Sequence, residues 1–485
     1  MNCQHRFFDP NGSISRRWFL RECGLGIGKI GLASLMANPL ARAAALGTPS
    51  LIGAPSPMGA HFPGKAKSVI HLFMAGAPSQ LDLFDPKPAL EKLDGKPLPP
   101  SVIGSQRLAF IRPDAGVMAS RFKFAQHGQS GAWLSELLPY TAKIADDLCF
   151  VKSVNTDQFN HAPAQIFFNT GFLQPGRPSI GSWVNYGLGS MNQDLPSFVV
   201  LSTGAGISGG AANWSSGFLP TVYSGVRFRN SGEPILNTAS PKGVDDQLQE
   251  DTIDLVNDLN RMQLDSVGDP EIATRVASHE MAFRLQHSAP ELTDLSGEPE
   301  SILKLYGIDD IKKPSYARAC LLARRMVERG VRFINIYNEG WDAHSDLAGN
   351  HSGLCKATDQ ASAALVIDLK QRGLLEETLV VWGGEFGRTP MVETNPALGR
   401  ALGRDHHPSA FTLWMAGGGI KGGQSYGETD ELGYHVVNNP VHVHDVQATI
   451  LHCLGLDHER LTYLHAGRHF RLTDVHGKVV KDLLA

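Results

Sequence analysis

Thr378-Leu379-Val380-Val381-Trp382-Gly383-Gly384-Glu385-Phe386-Gly387 reads as a buried strand, Leu379–Trp382 at its heart, that stops in glycine and delivers an acid at its end. An apolar run without polar alternation belongs to a sheet covered on both faces. Ser68–Met74, Leu148–Val154, Phe198–Ser202, Phe333–Tyr337 and Phe411–Met415 repeat the pattern. Between these runs, Tyr316–Arg329, Ser352–Arg372 and Asp445–Leu454 carry apolar residues three and four apart, the helical period. Strands alternating with helices predict an α/β fold, a mainly parallel β-sheet with helices on both faces. Ligand sites in such sheets sit at the carboxyl ends of the strands. That is where this chain concentrates its acids and histidines.

The stretch from Gly204 to about Gly243 is rich in Gly, Ser and Asn and reads as a long excursion. From about Val244 to Leu303 the pattern is helical, with a stop at Ser288-Ala289-Pro290. Residues from about 204 to 303 are therefore expected to form an insertion or cap that shapes a pocket. Gly204-Ala205-Gly206-Ile207-Ser208-Gly209 spells a dinucleotide fingerprint after a strand, but Gly210–Gly217 continues as loop where the fingerprint needs a helix. No cofactor site is expected there.

At the other end of the chain, Ser15-Arg16-Arg17-Trp18-Phe19-Leu20-Arg21 precedes a short apolar run, Gly24–Met36, and a small-residue site, Ala41-Arg42-Ala43. These are the elements of a twin-arginine export signal over residues 1–43, followed by a linker over 44–64. The apolar run is too short and too rich in glycine to span a membrane, so no stable transmembrane segment is expected in the mature form. The reading implies passage through the twin-arginine translocation machinery and a periplasmic or secreted protein. The main domain is expected over 65–477, with a C-terminal tail over 478–485.

Removing residues 1–43 takes away six Lys/Arg and two acids, so the formal charge moves from −4 to −8 (38 − 46). An acidic surface argues against binding nucleic acid. Six cysteines fall to four, none in a CxxC pair, which argues against a thiolate metal site and for buried thiols.

Twelve of nineteen histidines lie from His344 onward. Four clusters stand at strand ends: Asp82 with Asp85; Asn160-His161; Gly340-Trp341-Asp342-Ala343-His344; and Glu385-Phe386-Gly387-Arg388 with Arg404-Asp405-His406-His407. Any one of them is commonly a capping arrangement. Several on one sheet edge point to a divalent metal site, and mixed carboxylate and imidazole donors suit zinc, manganese or iron. For His161 two roles stand open: a packed residue at a helix N-terminus, or a ligand or catalytic group. Arg388 and Arg404 are candidates to clamp an anionic substrate, or salt-bridge struts.

These residues also carry a family resemblance. His161-Ala162-Pro163-Ala164-Gln165-Ile166-Phe167-Phe168-Asn169-Thr170-Gly171 has the spacing of the sulfatase signature, Cys/Ser-x-Pro-x-Arg leading by a short helix to Thr-Gly. Thr378–Gly387 resembles that superfamily's late strand, and His444-Asp445-Val446-Gln447-Ala448-Thr449-Ile450-Leu451 its C-terminal helix. From about Lys65 to Gly477 the chain resembles the exported bacterial domain-of-unknown-function family 1501, within the alkaline phosphatase/sulfatase superfamily. GWDAH (340–344), GEFGRTP (384–390), GRDHH (403–407) and GGGIKGG (417–423) carry that resemblance.

The resemblance implies an alkaline phosphatase-like fold and one or two divalent metal ions, zinc first, with manganese, iron or calcium as alternatives. The implied ligands are Asp82, Asp342, His344, Glu385, Asp405, His406 and His444. His161 falls at the nucleophile position, and Arg388 and Arg404, as candidate anion clamps, complete the expected catalytic set. Because His161 replaces the usual Cys, Ser or Thr and Gln165 the signature arginine, ordinary sulfatase chemistry is not expected. The expected function is a metal-dependent hydrolase of phosphate or sulfate esters, or a related small anionic or glycan-type substrate. The alternative is a non-catalytic envelope binding protein on the same scaffold.

Overall fold

The computed structural model describes residues 58–104, 108–204, 206–230, 232–235 and 243–485. The expected export signal and residues 44–57 of the linker lie outside them.

The central sheet is built from β1 (Ser68–Met74), β2 (Cys149–Asn155), β3 (Phe198–Ser202), β4 (Val226–Phe228), β5 (Phe333–Asn338), β6 (Thr378–Gly383), β9 (Phe411–Ala416), β10 (Gln424–Tyr426) and β11 (Val441–His442). Its order is β10-β2-β9-β6-β1-β5-β3-β4, with β11 also on β2. All neighbours pair in parallel except β9, which is antiparallel to both β6 and β2. An antiparallel strand between two parallel groups leaves the groups pointing the same way. The carboxyl ends of β1, β2, β5 and β6 therefore share one edge.

The six apolar runs read from the sequence are all strands of this sheet, shifted by no more than a residue at either end. Alternation along β1 sends Ile70, Leu72 and Met74 into one core and Val69 and Phe73 into the other, the period-two consequence of the pleat. The first core is closed by α6 (Tyr316–Glu328) and α7 (Leu347–Gln371). The second is closed by α2 (His161–Thr170), α3 (Ile180–Leu188) and α8 (Val443–Cys453). The fold is α/β, a mainly parallel sheet with helices on both faces.

Between β4 and α6, α4 (Asp246–Val267) and α5 (Pro270–Thr293) pack on one another. The expected stop at Ser288-Ala289-Pro290 is absent: α5 runs through Pro290 to Thr293. Buried Ala289 and Leu292 anchor that last turn in the core, which outweighs the lost amide of proline. After Gly204 a short 3-10 turn, Gly210–Asn213, takes the place a dinucleotide helix would need.

Arg388 and Arg404 to His407, read from the sequence as strand-end clusters, belong to a hairpin of β7 (Gly387–Asn395) and β8 (Arg400–His407) that stands over the shared edge. Cys149, Cys320, Cys355 and Cys453 are buried and free. No helix among the described residues is long and apolar enough to cross a membrane.

Candidate functional site

The loop after β5 turns tightly at Trp341-Asp342-Ala343-His344. Buried Trp341 fixes it, donating its indole N–H to Asn338 Oδ1 at 2.9 Å and its amide to Ala75 O at 3.2 Å. Gly76 lets the β1 loop approach: a Cβ there would stand 2.4 Å from the Asp342 amide nitrogen, and its φ is +111°. Gly403 on β8 does the same beside His344, where a Cβ would meet the His344 carbonyl carbon at 2.1 Å.

Around the Asp342 carboxylate stand three imidazoles. Oδ1 lies 3.1 Å from His161 Nε2, 2.9 Å from His344 Nε2 and 3.2 Å from His406 Nε2. One donor atom from each of the four residues fits within a cluster 4.8 Å across. The three imidazoles come from α2, the β5 loop and β8, three elements that end at the common edge.

Each imidazole is held from behind through Nδ1. His161 Nδ1 faces Glu385 Oε1 at 2.6 Å, His344 Nδ1 meets a Glu393 oxygen, and His406 Nδ1 faces the Phe159 carbonyl at 2.6 Å. An acceptor on Nδ1 selects the tautomer with hydrogen there and leaves the Nε2 lone pair pointing inward. Three such lone pairs against a carboxylate repel unless positive charge sits among them. His161 Nε2 is buried and, although 3.1 Å from Asp342, makes no hydrogen bond. The donor set fits a divalent cation of the borderline class.

Without a cation, protons supply that charge. Burial would lower His161, but Asp342 and Glu385 push it up to about 9. His344 also rises, burial being outweighed by Asp342 and Glu393. His406 cannot join them, and burial drives it down to about 3. Burial would raise Asp342, but the three imidazoles and the Arg388 charge hold it far below the usual carboxylate range.

The other expected site residues have different surroundings. Glu385, fully buried, accepts from His161, from Gln165 Nε2 at 2.8 Å and from the Gly76 amide at 3.1 Å. It stands behind His161 rather than in the cluster. Arg388, also fully buried, donates to Ala77 O at 2.9 Å, Arg404 O at 3.0 Å and Asp342 Oδ1 at 2.7 Å. It orients the carboxylate.

Asp82 and Arg404 pair with each other in the interior, Nε to Oδ2 2.7 Å, while Ser79 Oγ gives Asp82 a further bond. Asp405 lies within 4.8 Å of a His344 and Glu393 donor pair, but its oxygens accept backbone amides from Ala109, Phe110, Ile111 and His406. His444 is apart from the cluster, its Nε2 3.0 Å from Gly171 O and its ring stacked on His476.

Glu393, Phe159 and Phe110 are the neighbours that sequence reasoning missed. Glu393 lies 49 positions from the histidine it holds, and only the hairpin register brings them together. Asp342 is the opening of the site: its side chain is 41% exposed, against 15% for His161, 8% for His344 and 2% for His406. The cluster thus presents a polar, solvent-facing corner backed by a dry wall of imidazoles, with Phe386 packed 4.9 Å from His161 and 4.7 Å from His406.

Several solved structures are similar to this chain. A sulfatase, PsFucS1 from Pseudoalteromonas sp., is 14% identical, with 86% of this chain and 72% of that one covered and a TM-score of 0.39. The alkaline phosphatase from the Antarctic bacterium TAB5 is 12% identical, with 80% and 98% covered and a TM-score of 0.31. The phosphonate monoester hydrolase SpPMH from Silicibacter pomeroyi is 12% identical, with 72% and 71% covered and a TM-score of 0.32. No curated protein matches the chain in sequence. The model of the family described as "Protein of unknown function (DUF1501)" matches residues 66–484, nearly the whole of the described chain, and the protein belongs to that family.

Proposed function

We propose that this chain is an exported, metal-dependent hydrolase of phosphate or sulfate esters or of a related anionic substrate. The observation that carries this reading is the convergence of three Nε2 atoms on Asp342, each imidazole anchored through Nδ1. His161, Asp342, His344 and His406 would hold one divalent cation, zinc first by donor type. When bound, the cation supplies Lewis acidity toward an anionic oxygen and makes water more acidic.

The chain's own groups do the rest. Arg388 fixes Asp342 and adds positive charge beside it, which favours an anionic substrate. Glu385 and Glu393 hold two imidazoles in the tautomer that presents a lone pair. With Nδ1 on Glu385 and the Nε2 lone pair given to the cation, His161 would have no free nitrogen with which to attack. Water is the nucleophile this arrangement leaves.

The same commitment of His161 favours the second reading, a non-catalytic binding protein that keeps the cation and holds an anionic glycan or partner. Export rests on the Ser15–Arg21 stretch and its flanks. Elemental mass spectrometry of the natively exported protein tests the centre. One equivalent of metal, lost in a folded His344→Ala/His406→Ala protein, supports it. A panel of phosphate and sulfate esters with that metal then separates hydrolase from binder. A folded, stable protein that carries no metal overturns both.

A further inference from the structure

Phe110 is an aromatic ring left 47% exposed beside a cluster of charged groups. Its centroid lies 5.3 Å from the His344 ring and 5.3 Å from the His406 ring, at interplanar angles of 87° and 82°. The Arg400 guanidinium sits over the ring, 4.9 Å from its centroid. The placement leaves aromatic surface open beside the imidazoles.

The position is built. One oxygen of Asp405, a residue with no exposed surface, accepts three successive amides: Ala109 at 3.0 Å, Phe110 at 2.8 Å and Ile111 at 3.3 Å. Its other oxygen accepts the His406 amide at 2.8 Å. One carboxylate therefore ties the Phe110 segment to the strand that supplies His406. Arg400 is fixed as well, 2.7 Å from Glu393, whose other oxygen holds His344. One chain of contacts thus joins the ring, its cationic partner and the His344 and His406 imidazoles.

We propose that Phe110 and Arg400 form a ring subsite at the Asp342 cluster. It takes a substrate in which the anionic head is attached to a flat or saturated ring, aryl or glycosyl. The head group would meet the cation at the open Asp342 corner, with Arg388 adding positive charge from behind the carboxylate, while the ring lies against Phe110, which offers stacking to an aryl face and C–H contacts to a sugar-like one. An ester of a small alkyl group cannot reach this surface. The proposal rests on the reading of the cluster as an anion-accepting metal centre.

Non-hydrolysable anions test it on the zinc-loaded protein, by calorimetric titration with methylphosphonate, phenylphosphonate and cyclohexylphosphonate. The expected result is phenylphosphonate binding about tenfold tighter than methylphosphonate, the scale of one aromatic contact. Cyclohexylphosphonate as tight as the phenyl compound identifies a sugar-like ring as sufficient, and cyclohexylphosphonate as weak as the methyl compound identifies an aryl one. Phe110→Leu keeps the apolar volume without the aromatic face, and Phe110→Ala removes both; zinc content is measured for each. Loss of the phenyl preference in both, at unchanged zinc, supports the subsite. Equal binding of phenyl and methyl anions to the wild type overturns the subsite alone, as does a preference that survives in both variants. No binding of any phosphonate to the zinc-loaded protein overturns the anion-site reading and the subsite with it.

Discussion

Glu385, which solvent does not reach, stands 2.6 Å from the Nδ1 of His161 and so decides which nitrogen of that imidazole faces Asp342. The same carboxylate takes the Gln165 amide and the Gly76 amide, so its own position is fixed by α2 and by the β1 loop. Acceptors of this kind behind a ligating histidine raise its basicity and lock its orientation. Glu385→Gln keeps the volume and one acceptor oxygen but removes the charge. The expected outcome is a folded protein whose zinc affinity falls about 10–100-fold, checked by competition with a zinc chelator. An unchanged affinity would remove Glu385 from the support of the site.

Asp342 is the point on which the imidazoles and Arg388 converge, and it is the most exposed of the four cluster residues. Its replacement should therefore spare the core. Asp342→Asn takes away the anionic donor and leaves Arg388 uncompensated beside three imidazoles, so bound metal is expected to drop from one equivalent to near none with the circular dichroism spectrum unchanged. The imidazole of His161 should also lose part of its upward shift, because Asp342 is one of its two carboxylate partners. Proton NMR of the histidine rings during a pH titration of the chelated protein reports that shift directly. A variant that keeps its metal would place the carboxylate outside the donor set.

The sheet was legible because β1, β3, β5 and β6 are buried on both faces and write runs that are apolar almost throughout, broken only by single buried polar residues such as His71 and Asn335. The Asp342 and His344 pair was legible too, since a polar cluster just after such a run lands at the carboxyl edge. What could not be read was partnership. Asp82 and Arg404 each looked like site residues, yet they are 322 positions apart and neutralise one another in the interior. Nothing local distinguishes an acid that meets a cation from one that meets an arginine. Glu393 was invisible for the opposite reason: it sits mid-strand in a hairpin whose existence the glycines and charges of Arg388–His407 concealed. The helical stop at Pro290 failed because burial of Ala289 and Leu292 outweighs a local rule.

The Asp82–Arg404 pair yields a prediction about stability alone. Both side chains are buried, and Arg404 holds the Asp82 carboxyl below its usual range against the pull of burial. Removing one partner strands a charge: Asp82→Ala is expected to cost about 3–5 kcal/mol. Asp82→Leu combined with Arg404→Met removes both charges and should recover most of that loss. Denaturant unfolding of the three proteins checks this. If Asp82 were a ligand instead, the double variant would lose its metal; the structure predicts that it keeps it.

Histidines impose opposite pH limits on this fold, and metal should remove one of them. Burial pushes His71, His351 and His407 down to about 4 from an ordinary 6.5. For such groups the unfolded chain takes up protons first, so the stability present above pH 6.5 is lost as the pH falls toward 4, on the order of 3 kcal/mol for each at pH 4. His161 has the other sign. Its folded value, up at about 9, gives the metal-free protein stability that is full below pH 6.5 and is lost as the pH rises through 9. The chelated protein should therefore be most stable near pH 6.5, with a melting temperature that falls on both sides. A bound divalent cation takes the place of the proton on His161, so the zinc-loaded protein should keep the acid limb and lose the alkaline one. Melting curves from pH 4 to 9, with and without zinc, test this, and His161→Asn should shrink the alkaline limb without metal to the part that His344, raised in the same direction, contributes. A chelated protein whose melting temperature is flat from pH 6.5 to 9 would mean that His161 does not carry its proton between the two carboxylates.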